Sequence, residues 1–90
     1  MHRYFIQVFG RVQGVGFRYF VNYTAKSLNL TGWVKNCDNG SVHMEIQGKE
    51  KSISSFIEKL DKGNGFAKLE DMHCEKIESI DTERTFRVVY

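Results

Sequence analysis

The segment from Gly10 to Arg18 combines residue types that could bind an anion. Its glycines at positions 10, 14 and 16 allow the backbone to curl until several N–H groups point into one concavity. A helix is expected to begin directly after them, and its first N–H groups would add unpaired donors and a partial positive charge. The segment is therefore a candidate anion-binding loop.

Arg18 is unusual because it lies in the expected first turn of that helix, where the helix dipole disfavours an exposed cation by about 0.3–1 kcal/mol. A bound anion would reverse the sign of this effect, and the planar guanidinium can hold a phosphate through two hydrogen bonds. The alternative is a surface arginine that pairs with a distant carboxylate. The glycine spacing fits neither GxGxxG nor a P-loop, which argues against both common nucleotide cradles.

Asn36 is the second candidate, at the end of an expected strand and just before the turn residues 37–40. If that strand is regular, its side chain shares a face with Val34. The carboxamide could orient a water molecule through its C=O and NH₂ groups together. The alternative, which the residues alone favour, is that it initiates the turn as an Asx residue. The sequence does not place Asn36 beside Arg18, because the turn and the loop could lie at opposite ends of a sheet.

The elements that must position these residues are predicted from hydrophobic periodicity. Apolar residues on both faces of the segment from Tyr4 to Phe9 favour a central strand, and Asn39-Gly40 is a strong hairpin signal. The expected strands cover about 4–9, 31–36, 42–47, 69–77 (irregular, with a bulge) and 86–90. Helices are expected around residues 20–28 and 53–60, with Gly63 stopping the second.

The resulting order is β-α-β-β-α-β with a short extra strand. It predicts an α+β protein with the ferredoxin-like split β-α-β pattern, a mostly antiparallel sheet with two helices on one face. That fold serves many functions and does not identify a reaction by itself.

Composition limits the class of protein. Ninety residues predict a single domain covering residues 1–90, and 41% hydrophobic with 27% charged residues is an ordinary globular balance. The first ten residues lack a long apolar run, so a cytoplasmic protein without a membrane segment is expected. Cys37 and Cys74 have no CxxC spacing and are expected to be unpaired thiols, and the three scattered histidines form no zinc motif.

Charge is distributed unevenly along the chain. Residues 1–44 carry five basic residues against Asp38 alone, a net +4, whereas residues 45–90 carry a net −2. A mildly basic half suits a small anion better than a long polyanion, although a chance distribution explains the charge as well. A single-strand RNA binder is the main rival, since Phe5 and Phe9 share a strand face, but no RNP1 pattern occurs.

Two motifs together resemble the signatures of the acylphosphatase family. The stretch GRVQGVGFR at residues 10–18 resembles the first signature, and GWVKN at residues 32–36, followed by Gly40, Val42 and Gly48, resembles the second. The resemblance runs through the whole chain, including the final strand. It implies hydrolysis of a small-molecule acyl phosphate to a carboxylate and inorganic phosphate.

The resemblance also assigns roles to residues of this chain. It implies that Arg18 binds the phosphate and that Asn36 positions the nucleophilic water. The loop residues expected to bind phosphate are Val12, Gln13, Gly14, Val15, Gly16, Phe17 and Arg18. It further implies no metal, no organic cofactor, no nucleic-acid or membrane partner, and a monomer whose site also accepts phosphate or sulfate.

The chemistry agrees with such a sparse site. No Ser/His/Asp or Cys/His constellation is apparent, and Asp38 is the only carboxylate before Glu45. An acyl phosphate expels a carboxylate whose conjugate acid has a pKa of about 4, so no general acid is needed. Positioning and neutralisation of the phosphoryl oxygens would be sufficient.

Two alternatives and one departure accompany this prediction. The chain could be a carbamoyl-phosphate-handling unit of a larger maturation protein, or a catalytically silent relative. A chain of 90 residues that begins with Met1 and retains both motif residues favours a free-standing enzyme. Where relatives often carry a proline, this chain reads Gly63-Asn64-Gly65, and it contains no proline at all. A looser loop is expected there.

Overall fold

The computed structural model describes residues 1–90 as one five-stranded sheet and two helices. Along the chain these are β1 (His2–Arg11), α1 (Phe17–Ser27), β2 (Thr31–Asn36), β3 (Val42–Gly48), α2 (Glu50–Lys62), β4 (Lys68–Ile77) and β5 (Phe86–Val89). The strands lie in the order β4-β1-β3-β2-β5. The predicted ferredoxin-like α+β fold is confirmed, and the first strand is an interior strand paired on both sides.

The pairing of the strands determines which loops meet. β1 pairs antiparallel with β3 and with β4, β2 pairs antiparallel with β3, and only β2 and β5 are parallel. Because β1 and β2 both run antiparallel to β3, they run in the same direction and end at the same edge of the sheet. Val8 of β1 and Asn36 of β2 both pair with Val42 of β3. The sheet therefore brings the anion loop and the hairpin turn to one edge.

The core lies between one face of the sheet and the two helices. Alternate strand residues such as Ile6, Val8 and Met44 are fully buried there, as the period of two requires. The helices contribute Phe17, Val21, Ala25, Ile53, Phe56 and Leu60. Full burial of such side chains contributes about 1.5–3 kcal/mol each. The chain thus has a core without a disulfide, and both cysteines are free.

β1 differs from its predicted extent. It continues through Gly10 and Arg11, which pair with Leu69 and Lys68 of β4 after a register shift beyond Phe9. The shift leaves an extra residue in β4, in agreement with the bulge predicted for that strand. Gly63, φ 71°, ends α2 as predicted, and neither helix is long and apolar enough to cross a membrane.

A buried arginine occupies the other end of β1. Arg3 is 1% exposed, and its guanidinium donates hydrogen bonds to the carboxylates of Glu45 (2.8 Å) and Glu83 (2.7 Å). It also donates to Oε1 of Gln47 at 3.2 Å. These contacts attach the segment between β4 and β5 to the sheet. Each side chain of this cluster has a polar partner inside the protein.

Candidate active site

The loop between β1 and α1 has a conformation that its glycines make possible. Gly14 has φ 72° and Gly16 has φ 75°, both in the left-handed region that side chains rarely adopt. Gly16 is the N-cap residue of α1, and no side chain caps this helix. The first turn contains no acidic residue that could offset the partial positive charge of the N-terminus.

This geometry leaves a continuous run of backbone donors unpaired. The first backbone hydrogen bond of the helix joins Phe20 N–H to Gly16 C=O at 3.1 Å, and no N–H group from Gln13 to Tyr19 donates to a backbone oxygen. Backbone donors are almost always satisfied in native proteins. A run of free donors at a helix start is an arrangement that binds anions.

These donors lie around a small pocket. Its volume is about 100 Å³, and its lining consists of Val12, Gln13, Gly14, Gly16, Phe17, Arg18, Tyr19 and Asn36. A water molecule takes up about 30 Å³ in the liquid, and pockets for drug-sized ligands measure roughly 300–1,000 Å³. The pocket has room for a phosphate-sized group and not for a nucleotide. It brings Arg18 and Asn36 together, which the sequence could not establish.

Arg18 has no carboxylate partner among the ion pairs of the protein. Its guanidinium carbon lies 4.9 Å from the centre of the Tyr90 ring, within the range of a cation–π contact. The alternative of an arginine paired with a distant carboxylate is therefore wrong. Stacking on a ring leaves the N–H donors at the guanidinium edge free for a ligand.

Asn36 ends β2 with its side chain on the same side of the strand as buried Val34. Its Oδ1 atom is buried and has no hydrogen-bond partner. The Asx role in the turn belongs to Asn39, whose Oδ1 accepts the Ser41 N–H at 3.0 Å. The interpretation of Asn36 as the turn-initiating residue is therefore wrong. The Asn36 side chain lines the pocket, and its amide oxygen has no partner within the protein.

Gln13 has a role that the sequence did not indicate. Its side-chain Nε2 donates to the carbonyl oxygens of Cys37 (2.8 Å) and Ser41 (2.9 Å), so it ties the loop to the β2–β3 turn. The turn itself is closed by a hydrogen bond from Cys37 N–H to Ser41 C=O at 2.9 Å. The loop and the turn that follows Asn36 are thereby held together by one side chain.

Val15 is the one predicted loop residue that does not line the pocket. Its side chain packs against the core, and its carbonyl accepts a hydrogen bond from Asn64 Nδ2 at 2.9 Å. Tyr19 lines the pocket although the sequence analysis did not select it. Its position directly after Arg18 in the first helical turn is a signal that could have found it. Nothing in the sequence relates Asn64 to Val15.

The fold and the site define a ferredoxin-like protein with a small pocket lined by unpaired backbone donors, at the ends of β1 and β2, which run in the same direction on either side of β3. Residues 4–88 match the acylphosphatase family. The chain is 49% identical to an acylphosphatase of Clostridium acetobutylicum over 90 residues, covering 100% of this chain and 99% of the relative. It is also similar to the crystal structure of acylphosphatase from Bacillus subtilis, with a TM-score of 0.95, 43% identity and full coverage of both chains.

A further match is the crystal structure of full-length HypF in its phosphate- and nucleotide-bound form, with a TM-score of 0.91 and 32% identity. It covers 99% of this chain and 12% of that one. The chain belongs to the acylphosphatase family. It is accordingly a hydrolase that acts on small-molecule acyl phosphates.

Proposed function

We propose that Arg18 and the backbone of residues 12–18 hold the phosphoryl group of an acyl phosphate while Asn36 orients the attacking water. One observation carries this proposal: the N–H groups from Gln13 to Tyr19 have no backbone acceptor and surround a pocket that also contains both side chains. Preorganised donors of this kind are worth most where charge develops during the reaction.

The donors match the charge of the transition state. Phosphoryl transfer spreads negative charge over three equatorial oxygens, with the attacking and leaving oxygens nearly in line. The guanidinium of Arg18 supplies a full positive charge, and the start of α1 supplies partial positive charge and N–H groups. Because the leaving carboxylate is a weak base, the site needs no residue that protonates it.

Asn36 supplies the orientation of the nucleophile. Leaving a buried acceptor such as its Oδ1 unsatisfied costs about 1–3 kcal/mol, so the atom favours a water that donates to it. That water then presents a lone pair to phosphorus. The new P–O bond forms as the bond to the acyl oxygen breaks, the carboxylate leaves with its electron pair, and the water's proton passes to the phosphate or to solvent.

The remaining features of the proposal follow from the site. We expect metal-independent catalysis without a cofactor, because the chain itself provides the positive charge around the pocket. We expect a single functional unit that works as a monomer, because the loop donors, Arg18 and Asn36 are sufficient for the proposed mechanism within one chain. Two free thiols suit a reducing compartment such as the cytoplasm.

The decisive assay compares acetyl phosphate with a simple phosphate monoester, both in the presence of EDTA. We expect fast hydrolysis of acetyl phosphate and little or no hydrolysis of the monoester, because only the leaving group of acetyl phosphate departs without protonation. Equal rates for the two compounds would contradict the proposed mechanism, and loss of activity in EDTA would contradict metal independence.

A further inference from the structure

The turn between α2 and β4 contacts the anion loop through one side chain. Asn64 Nδ2 donates to the carbonyl of Val15 at 2.9 Å. Its Oδ1 accepts the N–H groups of Phe66 (3.0 Å) and Ala67 (2.8 Å). One carboxamide therefore closes its own turn and holds a peptide group of the loop.

The peptide group that it holds is at the pocket. A trans peptide is planar, and its C=O and N–H point in opposite directions. Holding the Val15 carbonyl against Asn64 therefore fixes the direction of the Gly16 N–H, which belongs to the same peptide. Gly16 lines the pocket, and its N–H is one of the unpaired donors. Were this peptide to turn over, a carbonyl oxygen would replace the donor and repel a bound anion.

No other hydrogen bond holds this peptide. The Val15 carbonyl accepts no backbone hydrogen bond, and Gly16 has no side chain to restrict its rotation. The turn that carries Asn64 is bracketed by Gly63 (φ 71°) and Gly65 (φ 90°), and the chain has no proline to stiffen it. A looser loop is expected here because the chain lacks a proline. The turn is instead organised by the three hydrogen bonds of Asn64.

We propose that Asn64 is a positioning residue for acyl phosphate hydrolysis, which orients the Val15–Gly16 peptide so that the Gly16 N–H faces the phosphoryl group. The inference rests on the proposed function of the loop. Asn64 does not line the pocket, so it acts through the peptide that it holds.

A specific kinetic pattern follows. Without the amide donor, the Val15–Gly16 peptide would sample orientations that do not bind the anion. The apparent affinity for the anion then falls in proportion to the fraction of molecules whose peptide has the binding orientation. We expect KM for acetyl phosphate and Ki for inorganic phosphate to rise together by about 3- to 10-fold, the scale of one side-chain hydrogen bond. The kcat should stay within about twofold, because bound phosphate restores the orientation of the peptide.

Two substitutions test this pattern. Asn64→Ser is neutral, and its hydroxyl can still accept from the turn but is too short to reach Val15. Asn64→Asp keeps the shape and the turn acceptor but loses the donor; its added charge is screened at about 1 M salt, where the Debye length is about 3 Å. Asn29→Ala is the matched control, because Asn29 has φ 58° at the end of α1, remote from the pocket. It should lower stability without changing KM or Ki.

The outcomes separate this inference from the function on which it rests. Higher KM and Ki in both Asn64 variants, with wild-type values in Asn29→Ala, support the positioning role. Asn64 variants that lose thermal stability but keep wild-type KM and Ki overturn it and leave the proposed function intact. If Arg18→Ala, assayed in parallel, hydrolyses acetyl phosphate at the wild-type rate, the proposed function fails and the inference fails with it.

Discussion

Arg3 lies at the beginning of β1, and Arg18 lies in the first turn of α1, which follows the other end of that strand; the two arginines have opposite environments. Arg3 is 1% exposed and donates to two carboxylates and to Gln47. Arg18 has no carboxylate partner and lines a pocket beside unpaired N–H groups. Arg3, whose polar groups are satisfied within the chain, stabilises the fold, whereas Arg18, left without a charged partner, is available to a ligand.

The two regions are nevertheless joined by β5. Gln47, next to Arg3, exchanges two hydrogen bonds with the main chain of Ile80, at 2.7 and 2.8 Å, and so holds the segment that leads into β5. β5 pairs with β2, and Tyr90 just beyond it packs against the Arg18 guanidinium. The hydrogen bonds around Arg3 and Gln47 thus help to hold β5 in place, and Tyr90, which follows β5, contacts Arg18.

Arg18→Ala should give the largest effect. We expect kcat/KM for acetyl phosphate to fall by at least about 10²-fold, the scale for loss of one preorganised transition-state donor. The free energy of unfolding should change by no more than about 0.5 kcal/mol, because no internal ion pair is lost. Steady-state kinetics and urea unfolding measure the two quantities. A folded variant with unchanged turnover would remove Arg18 from the mechanism.

Asn36→Ala tests the other unpaired group of the site. We expect kcat to fall by about 10²-fold through loss of water orientation, while inorganic phosphate still binds because the loop donors remain. Inhibition by phosphate and turnover of acetyl phosphate are measured together. The control is Asn39→Ala, which removes the Asx contact in the same turn and should retain kcat. Loss of phosphate binding in Asn36→Ala would mean that Asn36 holds the anion or shapes the loop.

Arg3→Ala should show the reverse pattern. Removing one partner of a buried ion pair costs about 3–5 kcal/mol, and the low end applies because the Glu45 side chain is 23% exposed. We expect the free energy of unfolding to drop by about 3 kcal/mol, while kcat/KM per folded molecule stays near the wild-type value. A stable Arg3→Ala variant with low activity would contradict the assignment of Arg3 to stability and of Arg18 to activity.

Glu83 should give the smallest effect, seen in the pH dependence of stability. Burial would raise the pKa of this carboxyl, but the hydrogen bonding and positive charge of Arg3, together with contributions from Thr31 and the charge of Arg87, outweigh burial and hold the pKa below its ordinary value. The unfolded chain therefore binds the proton first as the pH falls. The stabilisation is complete above the unfolded pKa of about 4.3 and is lost as the pH falls through the lower folded value.

Unfolding monitored between about pH 7 and pH 3 measures this contribution. Glu83→Gln should lower stability at neutral pH and flatten the decrease on the acid side. If the free energy of unfolding of Glu83→Gln falls at acid pH as steeply as that of the wild type, the interaction of Glu83 with Arg3 does not contribute to the pH dependence of stability.

Much of the fold could be predicted because it depends on local patterns. The period of two in β1, the Asn39-Gly40 turn and Gly63 at the end of α2 each follow from backbone preferences of nearby residues. The loop was identified for the same reason, since glycines and an arginine at a helix start are visible in the sequence. These features need no knowledge of which strands pair.

The remaining features depend on contacts between distant residues. That Asn36 and Arg18 share a pocket follows from strand pairing, which hydrophobic periodicity does not determine. The link from Asn64 to Val15 joins residues 49 positions apart, and Gln13 is a polar residue in a loop with no local sign of its partners. Such contacts arise from the packed chain and leave no pattern in the sequence.

In the proposed function, the unpaired donors of the β1–α1 loop bind the phosphoryl group. Titration of the ¹⁵N-labelled protein with inorganic phosphate in EDTA, followed by the amide resonances, tests it most directly. We expect saturable shifts concentrated in the backbone amides of residues 13–19 and in the side-chain amide of Asn36, with binding strongly weakened in Arg18→Ala. Shifts that spread over the basic surface without saturation, or that persist unchanged in Arg18→Ala, would contradict it.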